Sequence, residues 1–246
     1  MIAQIAPDAR LIDITHGIEP QQVLQGALVL ANTLPYMPVG VHVAVVDPGV
    51  GGKRRALCLR SGDGRLHVGP DNGLLVPAAE KLGGIEAAWE IANPDYALAR
   101  VSATFHGRDV FAPAAAHLAC GVEPAELGPA VDAAALVRLE IPVPDVSGRR
   151  LHATVLFVDR YGNVALNLTR EHAERAGIGA GGRVELEIGA ERYYATAART
   201  FADARAGDVI LYEDAYENLA LAITGGNAAE LLGAGPGSHV AISTAE

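Results

Sequence analysis

The feature that most limits what this chain can become is a change of texture near residue 141. Ahead of it, apolar runs alternate with helical spacings. Gln21 to Leu34 places Val23, Leu24, Ala27, Leu28, Leu30 and Ala31 on one helical face, and VHVAVV follows as a near-continuous buried strand. ARLIDI at 9–14 reads as a short strand, and ALCLRSGDGRLHV as a hairpin turning at SGDG. PDNG at 70–73 turns into a helix near Leu74 to Leu82, IEAAWEI is a further strand, and RDVFAPAAAHLAC is a helix stopping at Gly121. EIPVPDVSGRR, with its prolines, glycine and paired arginines, suits a linker. Beyond it LHATVLFVD, NVALNLT, RVELEIG, RYYATA, DVILYED and NLALAI are closely spaced β runs. The expectation is an α/β N-terminal domain over 1–142, a mostly parallel central sheet flanked by helices, followed by an all-β, barrel-like C-terminal domain over 150–246. No sequence repeat stands out. The opening MIAQIAPDA reads as the last turn of a helix with a Pro-containing exit, unlike the strand with which an α/β layer usually begins.

Composition removes several classes of function. Half of the 246 residues are hydrophobic, enough for a substantial core. Yet no apolar run approaches the roughly 18 residues needed to cross a bilayer, and no signal segment opens the chain. A soluble cytoplasmic protein is expected, with no membrane partner. The net charge of −10 argues against a nucleic-acid surface, which needs clustered Lys and Arg. Cys58 and Cys120 are expected to be reduced core thiols. Eight histidines occur without HxH or HExxH spacing, so no metal site is expected.

Four stretches could carry chemistry. DPGVGGKR at 47–54 follows a strand end with glycines that let backbone N–H groups approach a ligand. It is neither a P-loop nor GxGxxG, and a tight strand-to-strand turn fits it equally well. TFHGRDVF puts His106 at a helix entrance, where a cap or a satisfied core histidine is the simpler account. FVDRYGNVALNL ends an apolar strand on Asp159 and adds an aromatic and an amide suited to a nucleoside; an Asx-type hairpin turn also explains it. ITGGNAAELLG opens a short helix after a glycine pair, or is a plain loop. No GxSxG elbow is present.

Taken together and in order, VDPGVGGKR, VGPDNGLL, TFHGRDVFAPAAAHL, VDRYGNVALN and NLALAITGGNAAELLG resemble the S-adenosyl-L-methionine (SAM) hydroxide adenosyltransferases. These are the adenosine-forming SAM hydrolases, relatives of the fluorinase and chlorinase. The resemblance implies attack of water or hydroxide on ribose C5′ of SAM, giving adenosine and L-methionine, with no cofactor. It implies a catalytic Asp-Arg-His set: the aspartate opening VDPGVG is Asp47, the arginine seven residues on is Arg54, and the histidine of TFHGRD is His106. Asp159 would meet the methionine ammonium. Tyr161 would lie beside the adenine and Asn163 would read its edge, with Gly226, Asn227 and Ala228 near the base. A homotrimer is implied, with sites formed between the N-terminal domain of one subunit and the C-terminal domain of the next.

Such chemistry is coherent. The leaving thioether is neutral and needs no general acid. The substrate cation loses charge toward the transition state, which a dry pocket favours. Arg54 would stabilise hydroxide character, Asp47 would orient Arg54 or His106, and His106 would hydrogen-bond the water or take its proton. Halogenation is disfavoured: the fluorinase tyrosine matching Asp47, its halide-contacting serine at Gly107 and its threonine at Val50 are all missing. Two departures from the family pattern stand out. A leading strand and helix with a TDFG-like motif, whose aspartate binds the ribose hydroxyls, has no counterpart ahead of Met1; a late-placed start or a reduced ribose pocket is expected, and the latter makes a non-catalytic SAM or adenosine binder the alternative. The family's Ser-Xaa pair at the methionine carboxylate falls roughly at Ala215 and Tyr216.

Overall fold

The computed structural model describes residues 1–245. It divides into two compact units, Met1–Glu140 and Ile141–Glu246. No helix among the described residues is long and apolar enough to cross a membrane.

The first unit holds a four-stranded sheet of β1 (Val41–Val43), β2 (Ala56–Ser61), β3 (Leu66–Pro70) and β4 (Ile85–Glu90), in the order β1-β3-β2-β4. Its helices are α1 (Ile2–Ile5), α2 (Val23–Thr33), α3 (Val76–Lys81) and α4 (Ala112–Ala119). β2 shows why the run ALCL is apolar throughout. Leu57 and Leu59 pack with Leu30 and Ala27 of α2 and Ala78 of α3, while the alternate residues Ala56 and Cys58 pack with Phe111, Ala114 and Leu118 on the α4 side. A strand covered on both faces cannot alternate apolar with polar.

Four sequence expectations change here. The sheet is mixed: β1 runs parallel to β3, but β2 is antiparallel to both β3 and β4. The SGDG connection is too short for the crossover that a parallel pair needs, so it makes a hairpin instead. Segment 9–14 is not a strand; Leu11 and Ile12 stay exposed. The VHVAVV strand shrinks to three residues with β3 as its neighbour, and Val43 and Val45 are 39% and 43% exposed. Of the two thiols only Cys58 is a core residue, its pKa pushed up to about 12 by burial; Cys120 caps α4 and is exposed.

The second unit is a closed barrel. Its strands are β5 (Asp145–Ser147), β6 (Arg150–Val158), β7 (Val164–Thr169), β8 (Arg183–Ile188), β9 (Glu191–Ala197), β10 (Val209–Glu213), β11 (Asn218–Ile223) and β12 (His239–Thr244). The ring runs β6-β7-β11-β10-β9-β8-β12 and closes where β12 pairs with β6. β5, from the stretch expected to be a linker, is appended to β6. Inward residues such as Leu151, Leu166, Leu168, Leu186, Leu221 and Ile242 fill the interior; α5 (Arg170–Arg175) follows β7, and α6 (Ala228–Leu232) packs against the interior through Ala228 and Leu232.

Candidate functional site

In the first unit, three side chains distant in sequence meet at the strand ends. The chain leaving β1 stays tied to β3 by a hydrogen bond from Ala44 N–H to the Val68 carbonyl. The Asn72 side-chain amide then donates to the Val46 carbonyl at 2.8 Å. This delivers Asp47 at the end of a tethered strand. Two successive turns follow, Val50 N–H to the Asp47 carbonyl and Gly52 N–H to the Gly49 carbonyl. Gly51 has φ of +76°, and a Cβ there would stand 2.3 Å from the Ala103 carbonyl oxygen. Only glycine permits that approach, which presses the 47–52 loop onto the loop leading to His106.

Arg54 returns the chain to β2. Its Nε donates to Asp47 Oδ1 and Oδ2 at 3.0 and 3.1 Å, and its Nη2 donates to Oδ2 at 2.5 Å. The same Nη2 lies 2.8 Å from His106 Nδ1. Asp47 and Arg54 side chains are only 5% and 11% exposed, and the Phe111 ring lies 5.2 Å from the guanidinium carbon. His106 precedes a single π-helical turn, Gly107–Phe111, which leads into α4; such turns recur at functional sites.

Two further residues hold this arrangement, and neither was singled out from the sequence. Asp109 is buried and accepts from the Arg108 side chain and from Ser102 N–H at 2.7 Å, pinning the loop that presents His106. The Arg108 guanidinium and that N–H hold its carboxyl below the usual range. Asp71 accepts from Arg55 Nε at 2.8 Å and from Val137 N–H at 3.0 Å, fixing the PDNG turn whose Asn72 steadies the strand carrying Asp47. Their signal was an Asp beside a turn or helix entrance, a pattern too common to single out.

The barrel unit brings together the other six expected residues. Asp159 Oδ1 accepts from Tyr161 N–H and Asn163 N–H at 2.8 and 2.9 Å, and its Oδ2 accepts from the Asn163 side chain at 2.8 Å. The Asx-turn account of DRYGN is thus correct as local structure. This turn abuts the second stretch: Ala229 N–H donates to the Gly162 carbonyl at 2.9 Å, and Asn227 caps α6 through Glu230 N–H. Tyr161 is exposed and carries Arg160 across its ring. Ala228 is buried in the barrel core, so its side chain faces away from solvent. Gly226 donates its N–H to the Ile223 carbonyl.

DAYEN at 214–218 repeats the turn of DRYGN at 159–163, a repeat missed in the sequence. Asp214 Oδ1 accepts from Tyr216 N–H and Asn218 N–H at 2.8 and 3.0 Å, as Asp159 does from its own turn. Glu217 takes φ of +67° where Gly162 has +80°. Each turn opens one of two paired strands, β7 and β11, and these run antiparallel, with Leu221 opposite Val164 and Asn218 opposite Thr169. Burial chiefly raises the Asp214 pKa, with the charges of Glu213 and Asp159 adding to it; burial and the charges of Asp214 and Asp159 push the Tyr212 hydroxyl up to about 12.

A mixed α/β unit bearing a buried Asp-Arg pair hydrogen-bonded to histidine, joined to a closed barrel with acidic hairpin turns, defines a two-domain protein with a polar centre built for small-molecule chemistry. The chain belongs to the SAM hydroxide adenosyltransferase family: residues 1–128 match the family's N-terminal domain and residues 153–241 its C-terminal domain. It is 48% identical over 243 residues to the (R)-S-adenosyl-L-methionine hydrolase of Salinispora arenicola, covering 99% of this chain and 90% of that one. It is 31% identical over 249 residues to the fluorinase of an Actinoplanes species, covering 90% and 83%. Among solved structures, an uncharacterized conserved protein from Thermotoga maritima superposes with a TM-score of 0.88 at 32% identity, covering 98% of this chain and 92% of that one.

Proposed function

We propose that this protein hydrolyses SAM to adenosine and L-methionine. The observation that carries the proposal is the single guanidinium nitrogen, Arg54 Nη2, shared between Asp47 and His106 in a chain of this family. Water attacks ribose C5′. The C5′–O bond forms as the C5′–S bond breaks, the electron pair goes to sulfur, and one proton is released. Because the thioether leaves as a neutral molecule, the protein's task is to hold the nucleophilic oxygen in line and to stabilise its charge. Arg54 and His106 supply the hydrogen bonds, and Asp47 holds Arg54 in place.

Substrate binding falls to the barrel residues in this scheme. Asp159 uses about three of its four lone-pair directions within its own turn, leaving one for the methionine ammonium. Tyr161 offers an exposed ring to adenine, and Asn163 with the Gly226–Ala228 segment borders the base. The working form is a cytoplasmic homotrimer that requires neither cofactor nor metal.

Chromatography of the purified protein incubated with SAM tests this. Equimolar adenosine and methionine are expected, with adenosine formation reduced roughly hundredfold or more in Asp47→Ala and His106→Ala. Calorimetric binding of SAM without turnover would instead make the protein a binder, and 5′-chloroadenosine at high chloride would make it a halogenase.

A further inference from the structure

We propose that His106 acts as a neutral hydrogen-bond donor, its one N–H held on Nε2 by Arg54, and does not accept the proton of the attacking water. The inference deepens the hydrolytic proposal and rests on it for the identity of the reacting oxygen.

The argument is one of counting hydrogens. Arg54 Nη2 lies 2.8 Å from His106 Nδ1. A guanidinium has five N–H donors and no acceptor, so the hydrogen in this contact belongs to arginine and the lone pair to Nδ1. An imidazole whose Nδ1 accepts carries its hydrogen on Nε2. Nη2 has two hydrogens; one serves Asp47 Oδ2 at 2.5 Å and the other serves His106. The guanidinium cannot swing away without breaking the Nε contacts to Asp47 and leaving its place beside Phe111. In an Asp-His pair the carboxylate takes the Nδ1 hydrogen and leaves Nε2 a base. Here a guanidinium occupies that position and the polarity is reversed.

Donors suit an oxygen that is becoming hydroxide; a base is not what this imidazole offers. In the balanced reaction, water and the sulfonium give adenosine, methionine and a proton, and that proton passes to bulk solvent instead of residing on His106.

Long-range proton–nitrogen correlation spectra of histidine-15N-labelled protein at neutral pH read the ring directly, with the His106 signals identified by their loss in His106→Gln. The Nε2–H neutral pattern is expected. An Nδ1–H tautomer, or a ring protonated at both nitrogens, would overturn the proposal. Adenosine formation gives a second arm. His106→Gln keeps an N–H near the Nε2 position but has no basicity, so its rate should stay within about tenfold of wild type while His106→Ala falls roughly hundredfold. A glutamine variant with unchanged circular dichroism that is as inactive as alanine would count against the donor role. The spectra report on the imidazole whether or not SAM turns over, which separates this failure from failure of the hydrolytic proposal.

Discussion

At the scale of single residues, the chemistry depends on one charge being where no solvent can replace it. Asp47 receives three hydrogen bonds from Arg54, and both side chains are close to fully buried. An exposed ion pair contributes little, but removing one partner of a buried pair strands the other and costs roughly 3–5 kcal/mol. Asp47→Asn preserves the shape but turns an amide toward a guanidinium that can only donate. We expect it to lower unfolding free energy by about 3 kcal/mol, read as a lower urea midpoint at unchanged m-value, and to abolish adenosine formation. A loss below about 1 kcal/mol would show that solvent screens the pair as it does on a surface. Neither spacing nor period could reveal this partnership. Arg54 lies seven residues from Asp47 and 52 from His106, and separations of that kind carry no local signal. Only the resemblance linked them.

Between elements, the parallel pairing of β1 with β3 sets His42 opposite His67, with ring centroids 5.9 Å apart. His67 is fully buried and hydrogen-bonds Ser61 Oγ at 2.9 Å, while Arg65, paired with Asp63, adds its positive charge nearby. Burial first, then Arg65, lowers His42 to about 4; burial, then His42 and Arg65, lowers His67 to about 4. Both are therefore neutral when folded and protonate near 6.5 when unfolded, so their contribution to stability is complete above that pH and is lost as pH falls toward 4. Allowing for the partial exposure of His42, the pair should cost about 3 kcal/mol between about pH 7.5 and pH 5. Asp214, its pKa raised, acts in the opposite sense. Urea midpoints across that range should therefore be compared between wild type and His67→Gln, in which the slope should be about halved; a flat wild-type curve would refute the assignment. Elements with a local signature were legible beforehand: the SGDG hairpin, the α2 face, and the helix stopping at Gly121, where φ is +94°. What failed were inferences about neighbours. VHVAVV has the composition of a strand buried on both faces, but composition cannot say whether a second strand lies alongside. The DAYEN turn stayed hidden because Glu217 occupies a conformation that DRYGN gives to glycine.

For the molecule as a whole, the distribution of apolar burial makes a different kind of prediction. Each core cluster lies wholly inside one unit: the barrel core uses residues between Leu151 and Ile242, and the two cores of the first unit use residues between Ala27 and Leu136. The end of the first unit also folds back on itself. Val131 N–H donates to the Ala88 carbonyl, Val137 N–H to Asp71, and Leu139 packs over Gly73, so a cut after Glu140 severs none of these contacts. The barrel ring has no open edge, because β12 pairs with both β6 and β8. In the sheet of the first unit β4 is covered along its outer side by residues 129–131, through Glu90 N–H to the Pro129 carbonyl and the Trp89–Ala130 bridge, whereas β1 is an edge strand with β3 as its neighbour in the sheet. Residues 141–246 expressed alone should therefore fold into a monodisperse β protein. Its cooperative thermal transition should lie within about 8 °C of the barrel's transition in the full chain, the shift that about 1 kcal/mol produces in a domain of this size. Residues 1–140 alone should associate through the β1 edge. If the barrel fragment instead lacks a cooperative transition by circular dichroism, its ring is not self-sufficient and the division of the core between the two units does not describe how the chain is stabilised.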